Sequence, residues 1–234
     1  MKKRNIAISI LVGVCACFAS VGLMACGGVG ESSVYSENCK MELSFDKSYY
    51  IVTDVEDHDC KELVIPSEYK GKPVKEIGPS AFEDCRSLTS IDIPDSVTSI
   101  GRYAFDSCSS LTSVEIPDSV TSIGYSAFYN CSNLTSVEIP DSVTSIGDRA
   151  FYSCDSLTSV VIGDRVTSIG EGAFYSCDGL TEVIFEDTRR TWYSVYNYAD
   201  WENKTGGSEM DVTDSAANAT YFKSTYYDYY WYKL

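Results

Sequence analysis

Residues 123–145 read IGYSAFYNCSNLTSVEIPDSVTS, and close copies of this phrase begin at Ile77, Ile100, Ile146 and Ile169. The cysteines of the five copies are Cys85, Cys108, Cys131, Cys154 and Cys177, each 23 residues after the last. A fixed period in this range marks a solenoid, in which each repeat is one coil stacked on its neighbours. Such a coil cannot bury its apolar side alone, so the stack is the folding unit and its two ends need caps.

One coil, 111–133, shows how the phrase works. Leu111, Val114 and Ile116 follow an L-x-x-L-x-L spacing. Alternation along a strand puts Val114 and Ile116 inward and Ser113 and Glu115 outward. Pro117 ends the strand because it has no donor for further pairing. Asp118-Ser119 is turn chemistry, and Val120 and Ile123 point inward again. Gly124 is expected to make a tight or left-handed corner. Ala127 and Phe128 pack beneath the next corner, and Cys131 fills a small buried slot. No long helix fits between strands, so the coil is strand-rich. Equivalent residues of adjacent coils should lie about 4.8 Å apart, giving a rod on the order of 25–30 Å long.

The chain before the repeats divides into three parts. Lys2, Lys3 and Arg4 precede a mostly apolar run from 6 to 22, and Leu23-Met24-Ala25-Cys26 follows. That is the layout of a secretory signal peptide, 1–25, rather than of a membrane span. The tetrapeptide resembles a bacterial lipobox, which implies lipidation of Cys26 as the first mature residue. An ordinary signal peptide cut nearby would instead leave Cys26 as a free thiol. Residues 26–38, with Gly27, Gly28 and Gly30, read as a flexible tether. Residues 39–62 form an N-terminal β cap, with strands expected at 43–45 and 49–52 and a polar turn at 54–59. The solenoid occupies 63–185 and opens with Leu63-Val64-Ile65-Pro66 and a longer turn at 67–74.

The period fails after Phe185, and 186–234 read as an aromatic-rich C-terminal cap. Asp187-Thr188 is expected to cap a short helix reaching 196, and 201–208 to form a loop. Eight of the twelve residues from 221 to 232 are aromatic.

Charge and cysteine usage limit the function. The chain carries a net −16; loss of 1–25 removes three cations and no acid, leaving −19. Such acidity argues against nucleic acid and against electrostatic docking on anionic lipid. Of the ten cysteines, Cys15 and Cys17 leave with the signal peptide. The five repeat cysteines point the same way from adjacent coils, a poor disposition for disulfides. Cys39 and Cys60 are either a cap disulfide or two buried thiols.

Chemistry has little to work with. The single histidine, His58, lies in an acidic turn, which disfavours a nucleophile–His–Asp triad or a His-rich metal site. There is no glycine-rich phosphate loop. Asp95, Asp118, Asp141 and Asp164 recur at the turn, and Asp92, Glu115 and Glu138 on the strand face. The simplest reading has the turn aspartates bonding backbone and the strand acids in solvent; oxygen ligation of Ca²⁺ is the competing one. No enzyme activity, cofactor or metal is expected.

What varies between copies is more informative for recognition than what repeats. One corner position reads Glu83, Asp106, Tyr129, Tyr152, Tyr175, and the strand face passes from Asp92, Glu115 and Glu138 to Val161 and Ile184. Arg102-Tyr103, Tyr125-Ser126, Asp148-Arg149 and Glu171-Gly172 vary beside it. Aromatic side chains bury large area at low entropy cost at binding surfaces. The candidate ligand-binding residues are therefore Tyr129, Tyr152, Tyr175, Val161, Ile184, Trp192, Tyr229 and Trp231. The alternative is that the tail simply covers the last coil.

The phrase IGxxAFxxCxxLTSVxIPxSVTS resembles the BspA-like leucine-rich repeat family over 63–185. That resemblance implies a leucine-rich repeat solenoid on a bacterial surface or secreted protein. It further implies adhesion, binding of host matrix proteins or coaggregation, and no family binding residue maps to a defined position here. The expectation is an exported, lipid-anchored cell-surface protein that binds extracellular proteins or glycans, of host matrix or other cells, without catalysis. A structural or assembly component of the envelope is the alternative.

Overall fold

The computed structural model describes residues 38–189, 191–195, 202, 204, 207–224 and 230–234. The expected signal peptide, Cys26, Trp201 and Tyr229 lie outside these residues. Strands β1 (Cys39–Leu43) and β2 (Tyr50–Val55) form an antiparallel hairpin. It is followed by β3 (Glu62–Val64) and a second hairpin of β4 (Glu68–Tyr69) and β5 (Lys72–Ile77). The repeats then contribute β6 (Ser90–Asp92), β7 (Ser99–Ile100), β8 (Ser122–Ile123), β9 (Ser136–Ile139) and β10 (Ser145–Ile146). They continue with β11 (Ser159–Ile162), β12 (Ser168–Ile169) and β13 (Glu182–Phe185). The chain ends with β14 (Trp192–Val195), β15 (Ser208–Met210), helix α1 (Ser215–Ser224) and β16 (Tyr230–Lys233).

One long sheet runs β1-β2-β5-β7-β8-β10-β12-β16-β14-β15. It is parallel from β2 to β12, as stacked coils require, and turns antiparallel at both ends. On the other side of the coil β9, β11 and β13 form a parallel sheet in which Ser136, Ser159 and Glu182 are in register. The result is a leucine-rich repeat solenoid with 23-residue coils.

The repeated residues explain themselves once the coils are stacked. Phe82, Phe105, Phe128, Phe151 and Phe174 are fully buried and form one column, with ring centroids 5.1, 4.9, 5.1 and 5.3 Å apart. The thiols of Cys108, Cys131, Cys154 and Cys177 donate to the carbonyls of Phe82, Phe105, Phe128 and Phe151, at 3.0–3.2 Å. Thr112, Thr135, Thr158 and Thr181 are exposed, yet each hydroxyl donates to the carbonyl of the threonine one coil earlier, at 3.0–3.3 Å. Thr121, Thr144 and Thr167 make a second ladder of the same kind at 3.1–3.2 Å. Threonine recurs because it satisfies a backbone acceptor at the surface, where an aliphatic residue would not.

The glycine and the corners divide the roles that one residue was expected to play. A Cβ on Gly124 would lie 2.6 Å from the carbonyl carbon of Gly101, and one on Gly147 equally close to that of Gly124. Glycine there permits close approach of successive backbones, and its φ is not left-handed. The left-handed corners fall at Ser80, Tyr103, Ser126, Arg149 and Gly172, and again at Asp84, Ser107, Asn130, Ser153 and Ser176. Nine of these ten are not glycine. The coil-to-coil bonds across the corner hold them there: the N–H of Phe105 and of Phe128 donates to Ala127 and Ala150 of the next coil, both at 2.7 Å.

Each end is closed differently. At the start, β2 lies on β5 and β1 covers β2, with Val52, Val55 and Val74 fully buried. The first strand falls earlier than expected, because Ser44 to Tyr49 is the hairpin turn, closed by the Ser44 N–H on the Tyr49 carbonyl at 2.9 Å. Cys39 and Cys60 are both buried free thiols. At the far end, β16 pairs antiparallel with β12, and the Lys233 N–H takes the Thr167 carbonyl at 2.9 Å, where a fifth threonine would otherwise stand. Helix α1 brings Phe222 edge-on against Phe174, 5.6 Å away and at 82°, which ends the phenylalanine column. Lys223 Nζ donates to the carbonyls of Asp178 and Leu180.

The helix expected to follow Asp187-Thr188 is instead strand β14. Trp192 and Tyr193 pair with Lys233 and Tyr232 of β16, far along the chain. A sheet partner that distant outweighs local capping propensity.

Candidate functional site

The outward columns end up side by side on successive coils. Tyr129 and Tyr152 stack at 4.9 Å and 11°, and Tyr152 and Tyr175 at 5.4 Å and 39°. All three are half-buried. Because each ring covers its neighbour's face, the column presents ring edges and hydroxyls at intervals close to the coil spacing. On the sheet face Glu138, Val161 and Ile184 lie in register across β9, β11 and β13, and Val161 and Ile184 are half-buried. The tyrosines stand on the corner turns and Val161 and Ile184 on strands, both facing outward.

Trp192 and Trp231 are placed elsewhere. Their side chains are 1% and 0% exposed. Trp192 packs on Phe185 at 5.0 Å and Trp231 on Phe222 at 4.7 Å. These rings build the cover over the last coil, which is the second of the two roles read for the tail, and neither offers a face to a ligand. Cys26 and Tyr229 lie outside the described residues.

The variable pairs beside the tyrosine column also have internal partners. Tyr103 meets Tyr125 edge-on at 5.2 Å. Arg149 donates to the Tyr125 hydroxyl at 3.2 Å and lies 3.5 Å from the Glu171 carboxylate. The Tyr230 hydroxyl then donates to Glu171 at 3.0 Å. Variation here ties four successive coils to β16, a structural use that the sequence pattern did not reveal.

His58 has an unforeseen role too. Its Nδ1 lies 3.5 Å from Cys85 Sγ, and its Nε2 lies 3.3 Å from the Asp54 carboxylate. Cys85 heads the thiol column with no earlier phenylalanine carbonyl beside it, and the imidazole occupies that place. The line Cys85–His58–Asp54 has the order of a nucleophile triad but not its electrostatics. Burial first, and the neighbouring Cys60 second, push the Cys85 thiol up to about 12, and the side chain is fully buried. A reactive cysteine needs the opposite, a lowered pKa and solvent access. Cys39 is likewise pushed up to about 12 by burial.

Two polar clefts flank the C-terminal cap. One, of about 440 Å³, is bordered by Thr188, Arg189 and the β15 residues Glu209 and Met210. The other, of about 360 Å³, lies between the turn of the fourth coil and β16. Among the described residues, no group of three or more His, Cys, Asp or Glu could hold a metal ion. Near the turn, burial first and then the hydrogen bond to the Asp141 carboxyl raise Glu186 to about 7.

Comparison with known proteins agrees with this architecture. The chain matches the BspA type leucine rich repeat region in six copies over residues 75–199. A leucine rich repeat protein from T. pallidum is 28% identical, with 66% of this chain and 84% of that one covered and a TM-score of 0.57. One from Bacteroides ovatus is 36% identical, with 63% and 39% covered and a TM-score of 0.58. The chain thus spans well under half of the latter protein. Among curated proteins no similar sequence was found. The repeat phrase, the stacked coils and these matches agree, and the chain belongs to the BspA type leucine rich repeat family.

Proposed function

We propose that this protein is a non-catalytic binding protein of the bacterial cell surface, exported and held by a lipid on Cys26, that takes extracellular proteins or glycans on its outer face. One observation carries the reading. The column at Glu83, Asp106, Tyr129, Tyr152 and Tyr175 changes from acid to aromatic while the inner columns stay constant, and its tyrosines stand half-buried in a rigid stack. A preordered aromatic stack loses little entropy on binding. Val161 and Ile184 add apolar surface on the sheet face.

The test is binding of a form lacking residues 1–26 to an array of matrix proteins and glycans, alongside a variant with Tyr129, Tyr152 and Tyr175 replaced by alanine. Retention by defined ligands, reduced at least tenfold in the variant, is the expected result. No retention of the parent form on any ligand overturns the reading.

An envelope-assembly role has one observation in its favour. Phe45 is fully exposed at the tip of the β1–β2 hairpin, and its turn is fixed by Asp46, which accepts from the hydroxyls of Ser44 and Ser48 at 2.7 and 2.8 Å. Self-association in sedimentation, abolished by Phe45→Ser, would assign the protein to assembly instead.

A further inference from the structure

The fourth coil departs from the repeat at its turn. Earlier coils read Pro94-Asp95-Ser96, Pro117-Asp118-Ser119 and Pro140-Asp141-Ser142, whereas this one reads Gly163-Asp164-Arg165. The stack does not require the change, since three coils close the same turn without it. Its effect is local. The Gly163 N–H donates to the Ile139 carbonyl at 2.9 Å, a bond proline cannot make, and a Cβ on Gly163 would sit 2.7 Å from that oxygen. The Asp164 N–H is fixed by Asp141 Oδ1 at 2.8 Å. The turn is drawn onto its neighbour, and Arg165 lines the cleft of about 360 Å³ that separates it from β16.

Every residue lining this cleft is polar or charged. Thr144, Asp164, Arg165 and Thr167 come from the coils, and Asp187, Arg189 and Lys233 from the cap. The Lys233 side chain is 1% exposed; it donates to the Asp164 carbonyl and lies 3.8 Å from Asp187 Oδ2. Asp187, 5% exposed, also receives Arg189 Nε at 3.1 Å. Arg165 has no ion pair among the described residues. Three cations therefore meet two carboxylates, on a solenoid that is otherwise strongly acidic. The Thr144 and Thr167 hydroxyl protons are committed to the Thr121 and Thr144 carbonyls, so toward the cleft these oxygens offer only lone pairs.

Guanidinium groups recognise carboxylates through paired N–H donors, while fixed hydroxyl and carboxylate acceptors suit a ligand rich in O–H donors. No aliphatic or aromatic residue lines the cleft, so it offers little to a peptide's apolar side chains, and its volume falls in the range of small-ligand sites. We propose that this cleft binds an acidic sugar residue of the uronic-acid type, its carboxylate on Arg165 and Arg189 and its hydroxyls donating to Thr144, Thr167 and Asp164. This rests on the binding reading above and supplies its ligand chemistry at residues other than the tyrosine column.

The experiment is an NMR titration of the full chain with methyl glucuronide, methyl glucoside and a short glutamate peptide, in the parent and in Arg165→Ser. Serine stands at this position in the three preceding coils, so the variant keeps the fold, and unchanged circular dichroism checks it. Binding of the glucuronide in the millimolar range, at least tenfold weaker in Arg165→Ser and at least tenfold weaker for the uncharged glucoside, is expected. Equal shifts from glucoside and glucuronide, or no effect of the substitution, overturns the proposal. Tighter binding of the peptide also overturns it and assigns the cleft to acidic protein segments. If array ligands respond to the tyrosine variant but not to Arg165→Ser, this site falls and the wider binding reading stands; if nothing binds either, both fall.

Discussion

Two columns of aromatic rings climb this solenoid one residue apart. Phe128 and Phe151 stack at 5.1 Å and 4°, Tyr129 and Tyr152 at 4.9 Å and 11°. The geometry is nearly the same, and the surroundings are not. The phenylalanine column is fully buried and occupies all five coils; the tyrosine column is half-buried and begins only at the third. Spacing alone therefore says nothing about role. It comes from the parallel ladder, which brings any two equivalent side chains to about 5 Å. Burial decides which column must stay constant and which is free to change.

The sharpest way to break this comparison is to truncate both columns. Phe128→Ala should destabilise the fold by about 3–5 kcal/mol through lost burial and the cavity left between Phe105 and Phe151, read by denaturant titration. Tyr152→Ala should lose about 1 kcal/mol, the value of an aromatic contact with little change in burial. Equal effects would mean that the tyrosines belong to the core. Between these two falls Gly124→Ala, whose added methyl meets the Gly101 backbone. Overpacking of this kind costs about 1–3 kcal/mol, and a neutral outcome would show that coils part more easily than the fixed ladder suggests.

A last effect concerns a cluster of acids beside the turn, in which like groups repel. Glu186 is raised to about 7 by burial, by its hydrogen bond to Asp141, and by Glu138 and Asp164, against about 4.3 in an unfolded chain. The folded state holds that proton more tightly. Its stabilising contribution is full below the unfolded value and is lost as pH rises through about 7. The melting temperature of the parent should fall between about pH 5 and 8 more steeply than that of Glu186→Gln; parallel curves would discount the cluster.

Much of this was legible from the period. Once Cys85 to Cys177 were seen to recur every 23 residues, the inward columns and the need for caps followed from alternation and burial. The capping strands were not legible, because β14 and β16 choose each other across the tail and their local patterns carry no trace of it. Nor were the left-handed corners: serine, tyrosine and arginine stand where glycine is the usual signal, and coil-to-coil bonds impose the conformation. At the candidate site, the sequence placed Tyr129, Tyr152 and Tyr175 outward but could not show that they cover one another. It also grouped Trp192 and Trp231 with them, although both are buried. The substitution of Arg165 for serine was visible in the alignment of the copies, but its meaning depended on a strand 68 residues later in the chain.

The thiol column sets how this molecule fails. While the stack is closed, Cys39, Cys60 and the five repeat cysteines are all buried, and Cys108 to Cys177 have their protons engaged by carbonyls. Opening the stack delivers all seven sulfurs to solvent together, where a thiol ionises with a pKa of about 8.5. In an oxidising medium they are then free to join in pairings that no folded coil can accommodate. Loss of structure becomes a one-way event, and the working lifetime follows from how rarely the first coil opens rather than from the depth of the folding equilibrium.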